Sequence, residues 1–471
     1  MKKPKSIHFV GIKGVGMTPL AIIAKEAGIA VSGSDIGEEF ITDVPLKKAG
    51  IVPFVGFSKA NVGNAALVIT TGAHGGFNNP EVVFAKEKGI PVLTQGEAVG
   101  VFMEGEIFNK RYEGISVAGS HGKTTTTAMI ATMLKENKLD PTFIIGTSVV
   151  SSLGTSGHFG KGKYFVAEAD EYATEPAFDK TPKLLWQHPK IAIITNIELD
   201  HPDLYASAEE IKNVFLKFIK QLPKDGKVIA CGDDPLVEEL LNEYNGEKIT
   251  YGFSPVNTYV LKNVHVTDYQ TFFWVACNGT EIGDFTIQVP GEHNALNALA
   301  TIVVGLSCGL SLDAIKKSLV LFTGSKRRAE YIGKMVSGAM LFDDYAHHPT
   351  EIKKTLHTFR QRFPKKRIIC IFQPHTYSRT KQFFDEFTKC FGDADKIILT
   401  DIYPSLREKP DSSISSQKLT QSVNNFHKDA VCFSKLTDVI EYIQAENPGE
   451  NTVVISMGAG DVYKIHTQLT N

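Results

Sequence analysis

The chain has 471 residues, and a length of that order predicts two or three domains rather than one. Apolar residues make up 42% and charged residues 22%, which is the balance of a globular protein able to bury large cores. The formal net charge of −2 argues against a general polyanion-binding surface, so we expect no nucleic acid among the partners.

The cysteines and the apolar segments indicate a compartment. The six cysteines are scattered, with no CxxC pair and no tight metal-ligand spacing, which favours free thiols in a reducing environment. No window reaches the roughly 18 consecutive apolar residues that a membrane helix needs, and no signal-like apolar region precedes the first glycines. We therefore expect a cytoplasmic protein with no membrane partner.

The first part of the chain alternates strands and helices. A buried strand, Ile7–Val10, runs into a glycine loop and then a helical stretch, and the pattern fades in the polar stretch at 108–113. Such alternation predicts a parallel sheet with helices on its faces. Further strands are predicted at Ala30–Ser32, Leu67–Thr70 and Pro91–Leu93.

A second alternation begins with a strand at Ile115–Ala118, a glycine-rich loop and an apolar-periodic helix. Strands are predicted at Tyr164–Ala167 and Ile191–Thr195, a β-rich region from about 250 to 290, and a helix after Asn294. The pattern breaks again around 322–328.

A third alternation fills the end of the chain. Helices are expected after Pro349 and Thr380, and strands at Met340–Phe342, Arg367–Phe372, Lys396–Thr400 and Thr452–Ser456. The whole predicts an α/β fold of three domains: Rossmann-like in residues 1–110, P-loop ATPase-like with a parallel sheet in residues 111–324, and Rossmann-like in residues 325–471.

The sequence Gly119-Ser120-His121-Gly122-Lys123-Thr124 follows a strand and opens a helix, which is the context of a phosphate-binding loop. Backbone N–H groups and the helix dipole attract phosphate oxygens at such a position. Lys123 supplies a cation and Thr124 a hydroxyl for Mg²⁺. The loop is shorter than the standard P-loop, and the alternative is a glycine-rich turn with no ligand.

Acidic residues follow the two neighbouring strands. One run holds Glu168, Asp170 and Glu171, and the other, from Asn196 to His201, holds Glu198 and Asp200. Ligands sit beyond the carboxyl ends of parallel strands, so these side chains should converge on the loop. Carboxylates are hard ligands that suit Mg²⁺. Each run alone would more often be a solvated loop, but together they predict a Mg-nucleotide site.

The N-terminal loop with Gly11, Gly14 and Gly16 resembles a dinucleotide fingerprint whose glycines stand in the wrong order for GxGxxG. Asp35 ends the next predicted strand, where a ribose hydroxyl can be bound. Nucleotide binding and a simple tight turn both remain open for this loop.

Arginines and histidines stand out in the last third. Arg327 and Arg328, the run from Asp343 to Pro349 and the run from Gln373 to Arg379 carry them. Arginine pairs with phosphate or carboxylate through a planar fork, and histidine can position or deprotonate an amine. The alternative for His347 and His348 is packing and capping at a helix whose first residue is Pro349.

Taken in order, these motifs resemble the Mur ligases of peptidoglycan synthesis through essentially the whole chain. The motifs that carry the resemblance are HFVGIKGVGM, SGSD, GSHGKTTTT, EADE, TNIELDH, GEHNALNALA, KRRAE, DDYAHHPTE, FQPHTYSRT and MGAGD.

The resemblance implies a ligase that uses ATP and Mg²⁺ to join L-alanine to the lactyl carboxylate of UDP-N-acetylmuramate. ATP would phosphorylate the carboxylate, and the amine would attack the acyl phosphate and expel phosphate. Closure of the third domain would assemble the site. The quaternary state it implies is a monomer or a weak dimer.

The resemblance also implies site residues. Lys123, His201, Arg327 and His347 would be catalytic; Thr124 and Glu168 would hold one Mg²⁺ and His201 a second. ATP would contact Gly119, Ser120, His121, Gly122, Lys123, Thr124, Thr125, His293, Asn294, Asn297, Arg327 and Asp344, with Arg327 reaching across to the phosphates. The sugar nucleotide would contact Gly11, Gly14, Gly16, Met17, Asp35, Thr70 and Thr71, and the amino acid Tyr345, His347, His375 and Arg379.

One segment departs from the alanine-adding pattern. The stretch between Glu168 and His201 is long and resembles the recycling ligase, which attaches an intact stem tripeptide to the same sugar nucleotide, whereas FQPHTYSRT resembles the alanine enzymes. Because the C-terminal pocket chooses the amine, alanine is the expected substrate. Lys217 does not establish the carbamylated lysine of other relatives.

Two interpretations from other classes compete with a ligase. A nucleotide-dependent oxidoreductase would need a true GxGxxG order and leaves the GKT loop without a role. A non-catalytic nucleotide-binding scaffold would not need Arg327, His347 and Arg379 in a separate domain.

Overall fold

The computed structural model describes residues 3–404, 408–427 and 429–470. Their strands form three principal sheets, one after another along the chain, and a separate two-stranded hairpin. The predicted α/β fold of three domains is confirmed. In these ranges no helix combines the length and the apolar character needed to cross a bilayer.

The N-terminal sheet is parallel and has the order β3-β2-β1-β4-β5. Its strand order reverses between β1 and β4, and an open sheet of this kind forms its ligand crevice at that point. The strands are β1 (Ser6–Val10), β2 (Ala30–Asp35), β3 (Phe54–Val55), β4 (Leu67–Thr70) and β5 (Val92–Thr94); the helices are α1 (Thr18–Glu26), α2 (Asp43–Lys48), α3 (Lys59–Val62), α4 (Pro80–Glu87) and α5 (Gln95–Glu104).

The central sheet has the order β17-β16-β15-β14-β13-β12-β6-β9-β7-β8, with β10 and β11 forming the separate hairpin. Its middle is parallel, and β15–β17 add antiparallel strands at one edge. The strands are β6 (Glu113–Ala118), β7 (Thr142–Ile144), β8 (Gly157–His158), β9 (Tyr164–Glu168), β10 (Ala173–Glu175), β11 (Asp179–Pro182), β12 (Ile191–Ile194), β13 (Lys227–Cys231), β14 (Glu247–Gly252), β15 (Tyr259–Val266), β16 (Thr271–Cys277) and β17 (Thr280–Ile287). The helices are α6 (Lys123–Glu136), α7 (Ala208–Ile219), α8 (Pro235–Asn242), α9 (Glu292–Ser307) and α10 (Leu312–Leu319).

The C-terminal sheet has the order β18-β19-β23-β20-β21-β22, and its pairs are parallel except β18 with β19. The strands are β18 (Glu330–Lys334), β19 (Met340–Asp344), β20 (Arg367–Phe372), β21 (Lys396–Thr400), β22 (Ala430–Phe433) and β23 (Thr452–Met457). The helices are α11 (Pro349–Arg362), α12 (Tyr377–Gln382), α13 (Phe384–Phe387), α14 (Ser416–Val423), α15 (Leu436–Glu446) and α16 (His466–Leu469).

The N-terminal and central domains share an apolar core. Ile144, Phe165 and Ala167 of the central sheet belong to the same buried cluster as the inner face of α1 and β1. Phe108, the first residue of the polar stretch, packs on Phe159 with ring centroids 5.0 Å apart. The two domains are therefore joined by packed side chains as well as by the chain.

The helix expected after Thr380 is wrong in its position. It begins earlier, at Tyr377, and is interrupted after Gln382, so that α12 and α13 form two short pieces. Phe383 lies between them with φ −104° and ψ 29°, and its side chain is buried in the C-terminal core.

Candidate active site

The predicted phosphate loop lies between β6 and the N-terminus of α6, as its sequence requires. Gly119 and Gly122 have positive φ, and a Cβ on Gly122 would lie 2.8 Å from Asn297 Oδ1. Since only glycine fits both positions without strain, the loop can turn its backbone N–H groups toward a ligand. The 14 residues of α6 add a helix dipole at the same point.

Lys123 is held inside the loop by a buried carboxylate. Its ammonium donates to both oxygens of Glu171, at 2.9 and 3.1 Å, and to the carbonyl of Gly119 at 2.6 Å. Burial opposes the charged form, but the carboxylates of Glu171 and Asp170 outweigh it and raise the pKa of Lys123. Lys123 is thus a fixed cation at the place where phosphate charge is expected.

The predicted metal residues form two neighbouring groups. Thr124 Oγ1 donates to Glu168 Oε2 at 3.0 Å. Asp170, Glu171 and His201 place one ligand atom each within 4.8 Å of one another. Hydroxyl and carboxylate oxygens with one imidazole suit a hard divalent cation. Both groups lie at the carboxyl ends of adjacent strands, as predicted.

A cavity of about 350 Å³ opens beside the loop. Its lining includes some of the residues predicted for ATP, on the loop, on α9 and on β19, together with residues that were not singled out from the sequence. Gly119, Ser120, Lys123, Thr124 and Arg327 are not among the lining residues. The predicted lining residues are His121, Gly122, Thr125, His293, Asn294, Asn297 and Asp344; the others include Cys231, Asp233, Asp234 and Tyr251.

His293 and Asp344, which line the cavity, are among the residues whose pKa is shifted. Burial, followed by the nearby charges of Lys354 and Arg328, lowers the pKa of His293 to about 4, so this imidazole is neutral at pH 7. Burial raises the pKa of Asp344 to about 6, against the opposing effects of Arg328 and of the N–H groups of Ala346 and Ala329.

The expectation that Arg327 reaches across to the phosphate loop is wrong. Its guanidinium turns back into the C-terminal domain, where it donates to Asp343 Oδ2 at 3.0 Å and to the carbonyls of Gly458 and Gly460. Arg328 takes the expected place: its Nη2 lies 3.4 Å from Thr124 Oγ1, and it lines the cavity. Because Asp343 and the Gly458 carbonyl hold the Arg327 guanidinium, Arg328 is the arginine of this pair that faces the cavity.

His121 bridges the central and C-terminal domains. Its Nε2 lies 3.3 Å from Glu198 Oε2, and its Nδ1 lies 3.3 Å from Glu351 Oε1 of α11. Burial opposes protonation, but Glu351 and Glu198 outweigh it and raise the pKa of His121 to about 9. The residue is therefore an imidazolium at neutral pH and ties the two domains together.

The residues predicted for the amino acid meet at the same interface. The ring of His347 lies 5.3 Å from that of Tyr345 and 6.0 Å from that of His375. Arg379 donates to Asp200 Oδ1 at 2.6 Å and to the carbonyl of His375 at 3.0 Å. Asp200 belongs to the central domain, so this buried ion pair also crosses the domain boundary.

The two adjacent histidines have different roles: His348 caps a helix, as the structural interpretation predicted, and His347 does not. His348 is the N-cap of α11, with Pro349 in its first turn, and takes part in a capping box with Glu351, which is the structural alternative. His347 instead faces the rings of Tyr345 and His375. Burial lowers its pKa to about 4, and its Nδ1 lies 3.0 Å from the carbonyl of Tyr345.

The N-terminal glycine loop belongs to the N-terminal sheet rather than to the central one. Gly11, Gly14, Gly16 and the buried Met17 lie between β1 and α1. Asp35 accepts the backbone N–H of Lys13 at 2.7 Å and lies 3.4 Å from His74 Nε2.

Thr71 stands at the opposite wall of this crevice, where a Cβ on Gly11 would lie 2.6 Å from its methyl group. Thr70 is fully buried and donates to the carbonyl of Thr71. The glycine loop and the two threonines therefore meet at the crevice where the strand order reverses.

Some residues at the site escaped the sequence analysis. Glu351 and Lys354 project from α11, and His74 follows β4. Glu351 could have been predicted from the sequence, because a Glu three residues after an N-cap indicates a capping box. Lys217, in contrast, lies on the exposed face of α7.

Three family models match successive parts of this chain. They are the Mur ligase family catalytic domain over residues 6–106, the Mur ligase middle domain over 117–305, and the Mur ligase glutamate ligase domain over 327–460. The chain belongs to the Mur ligase family.

Individual members of the Mur ligase family match over nearly the full length. A UDP-N-acetylmuramate–L-alanine ligase of Acetivibrio thermocellus is 41% identical over 98% of this chain and 95% of its own. The crystal structure of a UDP-N-acetylmuramate-alanine ligase from Thermotoga maritima superposes with a TM-score of 0.81 at 30% identity, covering 98% of each chain. A murein peptide ligase from Psychrobacter arcticus shares the fold, with a TM-score of 0.71 at 24% identity over 99% of this chain and 98% of its own.

Exchanging each of the two adjacent arginines for Gln should have different consequences. Arg328→Gln should weaken nucleotide binding with little change in the melting temperature, since Arg328 is partly exposed in the cavity. Arg327→Gln should lower the free energy of unfolding by about 3–5 kcal/mol, because it removes the buried cation that pairs with the buried carboxylate of Asp343. Nucleotide titration and thermal unfolding of both variants check this, and equal effects of the two would contradict it.

The stability of the chain should fall at alkaline pH because of His121. Its folded pKa of about 9 exceeds an unfolded value near 6.5, so its contribution is complete below about pH 6.5 and is lost as the pH rises through about 9. The melting temperature of the wild type should therefore drop between pH 7 and pH 9.5 more steeply than that of His121→Asn. If the melting temperatures of the wild type and His121→Asn fell equally with pH, His121 would not be the cause of the loss.

Proposed function

We propose that this chain is an ATP-dependent ligase that joins L-alanine, through its amine, to the lactyl carboxylate of UDP-N-acetylmuramate. The observation that carries the proposal is the near-full-length similarity to relatives of that name, in sequence and in structure. The phosphate loop, the cavity and the amino-acid pocket at one domain interface support it.

Magnesium-ATP is the nucleotide that the site fits. The loop from Gly119 to Thr125 would cradle the phosphates, because a side chain at Gly119 or Gly122 would overlap neighbouring atoms. His293, Asn294 and Asn297 would line the base, and Arg328 and Asp344 would close the cavity from the C-terminal domain.

Thr124 with Glu168 would hold one Mg²⁺, and His201 with its neighbouring carboxylates a second. When bound, the metal offsets phosphate charge and orients the oxygens. The donor set is hard and lies beside Lys123, which is what that role needs.

The chain's own residues would do the rest of the chemistry. The lactyl carboxylate attacks the terminal phosphorus of ATP, ADP leaves, and the amine then displaces phosphate from the acyl phosphate. Two anionic reactants must approach each other, and the fixed cations Lys123 and Arg328 reduce their repulsion. His347, neutral and with Nδ1 directed to the Tyr345 carbonyl, leaves Nε2 to accept a proton from the amine.

The remaining parts of the proposal concern binding and location. The glycine loop, Asp35, Thr70 and Thr71 would hold the sugar nucleotide in the N-terminal crevice, and Tyr345, His375 and Arg379 the amino acid. We assign the three domains to residues 1–110, 111–324 and 325–471, and we expect the protein to be a monomer or a weak dimer. We place it in the cytoplasm, a compartment that suits the free cysteines in the described residues.

Phosphate release from Mg-ATP with UDP-N-acetylmuramate tests the substrate directly. L-Alanine should support release, whereas the stem tripeptide and a reaction with no amine should not. Glycine and L-serine belong in the same series, because a pocket distinguishes one small group by only about 1–3 kcal/mol. Release with the tripeptide alone would make the chain a recycling ligase.

Lys123→Met should lower kcat by about 100-fold or more, since it removes a preorganised cation from the charge that develops in the reaction. Lys135→Met is the matched control, because Lys135 lies on the same helix near its other end, where it contacts the carbonyl of Leu153. Steady-state kinetics of both variants decide, and equal losses would contradict the role of Lys123.

A further inference from the structure

The long segment between Glu171 and β12 forms a structure of its own. Residues Tyr172–Trp186, here called the strap, comprise the hairpin of β10 and β11 and a turn of 3-10 helix, Lys183–Trp186. Trp186 Nε1 donates to Thr174 Oγ1 at 2.8 Å, and Thr174 Oγ1 donates to the carbonyl of Thr181 at 2.6 Å. These two hydrogen bonds within the strap connect the hairpin to the 3-10 turn.

The tip of the strap is seated on glycines of the N-terminal domain. The carboxylate of Glu175, 2% exposed, lies so close to Gly76 that a Cβ there would overlap it. A Cβ on Gly72 would lie 2.7 Å from Cδ of Pro176. Glu175 cannot swing aside freely, because its Oε2 accepts the backbone N–H groups of Ala177 and Phe178 at 2.9 and 2.8 Å.

The base of the strap is seated on α5 in the same way. A Cβ on Gly100 would overlap the carbonyl oxygen of Trp186, and one on Gly96 would lie 3.2 Å from Cδ1 of its ring and 3.1 Å from Cγ of Lys183. Two separate glycine pairs of the N-terminal domain thus receive one segment of the central domain.

The other side of the strap contacts Asp170 and His201, which belong to the candidate metal group beside the phosphate loop. Lys183 Nζ forms an ion pair with Asp170 Oδ2 at 3.0 Å. The ring of Tyr172 packs on that of His201 at 4.6 Å, and its hydroxyl donates to Asp203 at 2.9 Å. Gly72 directly follows Thr71, so the strap joins the expected sugar-nucleotide loop to the phosphate-loop site.

We propose that the strap positions the N-terminal domain, and with it the sugar nucleotide, over the phosphate loop, and that Glu175 is its positioning residue. The inference rests on the proposed function and adds a determinant of substrate placement to it. A substrate held in one domain and phosphorylated in another reacts only if the two keep their distance, and a misplacement of about 1 Å can cost 10²-fold in rate.

Gly76→Ala tests the seat, with Gly89→Ala as the matched control. Both glycines have positive φ, at 51° and 67°, so both variants carry the backbone penalty. Only Gly76 faces Glu175, whereas Gly89 has nothing within 4 Å of the added Cβ. Gly76→Ala should raise the KM for the sugar nucleotide and lower kcat, each about tenfold, with the KM for ATP little changed, and Gly89→Ala should match the wild type.

Two further variants keep the test decisive if Gly76→Ala folds poorly. Glu175→Ala loosens the tip by removing the acceptor of two N–H groups, and it should raise the same KM. The double variant Gly76→Ala/Glu175→Ala removes the overlap, so it should be more active than Gly76→Ala alone. A double variant no better than Gly76→Ala would overturn the steric argument.

Trp186 supplies a readout that does not depend on turnover. The chain has two tryptophans, so Trp274→Phe leaves Trp186 as the sole reporter. In that background acrylamide should quench Trp186 more strongly in the Gly76→Ala and Glu175→Ala variants than in the Gly89→Ala variant. Equal quenching together with equal KM values would overturn the positioning role. A wild type with no turnover on the sugar nucleotide would instead refute the proposed function.

Discussion

The site depends on one constraint: the carboxylates buried at the carboxyl end of the central sheet must each be paired with a cation. Glu171, Glu198 and Asp200 lie there together, and each is offset by its own cation. Lys123 and His121 of the phosphate loop pair with Glu171 and Glu198, and Arg379 of the C-terminal domain pairs with Asp200. Removing one member of such a pair leaves an uncompensated charge, which is more costly than the pair's net contribution. The position of the C-terminal domain therefore depends on two ion pairs with the central domain, Arg379 with Asp200 and Glu351 with His121.

The same arrangement would allow the proposed nucleotide to enter a site that already holds many charged side chains. Lys123 is paired with Glu171 and with loop carbonyls rather than left exposed, so its cation is in place before any phosphate arrives. Preorganised charges need no reorganisation during the reaction. His293, kept neutral by burial and by Lys354 and Arg328, adds no further positive charge to the wall of the cavity.

Much of this was predictable from the sequence because the relevant signals are local. The glycine loops, the strand ends and the capping of α11 depend on neighbours in the chain, and they lie where the pattern placed them. Side-chain direction is not local: Arg327 and Arg328 have the same chemistry, and only the packing of Asp343 and the Gly458 carbonyl decides which one turns inward. The sequence showed that the segment holding the strap is long but not how it folds, because the strap packs against glycines of the N-terminal domain that are distant in the chain.

The interfaces of the central domain with the N-terminal and C-terminal domains differ in how much apolar surface they bury. Apolar side chains of the N-terminal and central sheets share one buried cluster, whereas in the described residues the clusters of the C-terminal sheet gain from the central domain only Leu199 at their margin. Exposing apolar surface raises heat capacity, and exposing polar surface lowers it. Separating the C-terminal domain should therefore leave the heat capacity nearly unchanged or lower it, whereas separating the N-terminal domain from the central sheet should raise it, as in a partial unfolding.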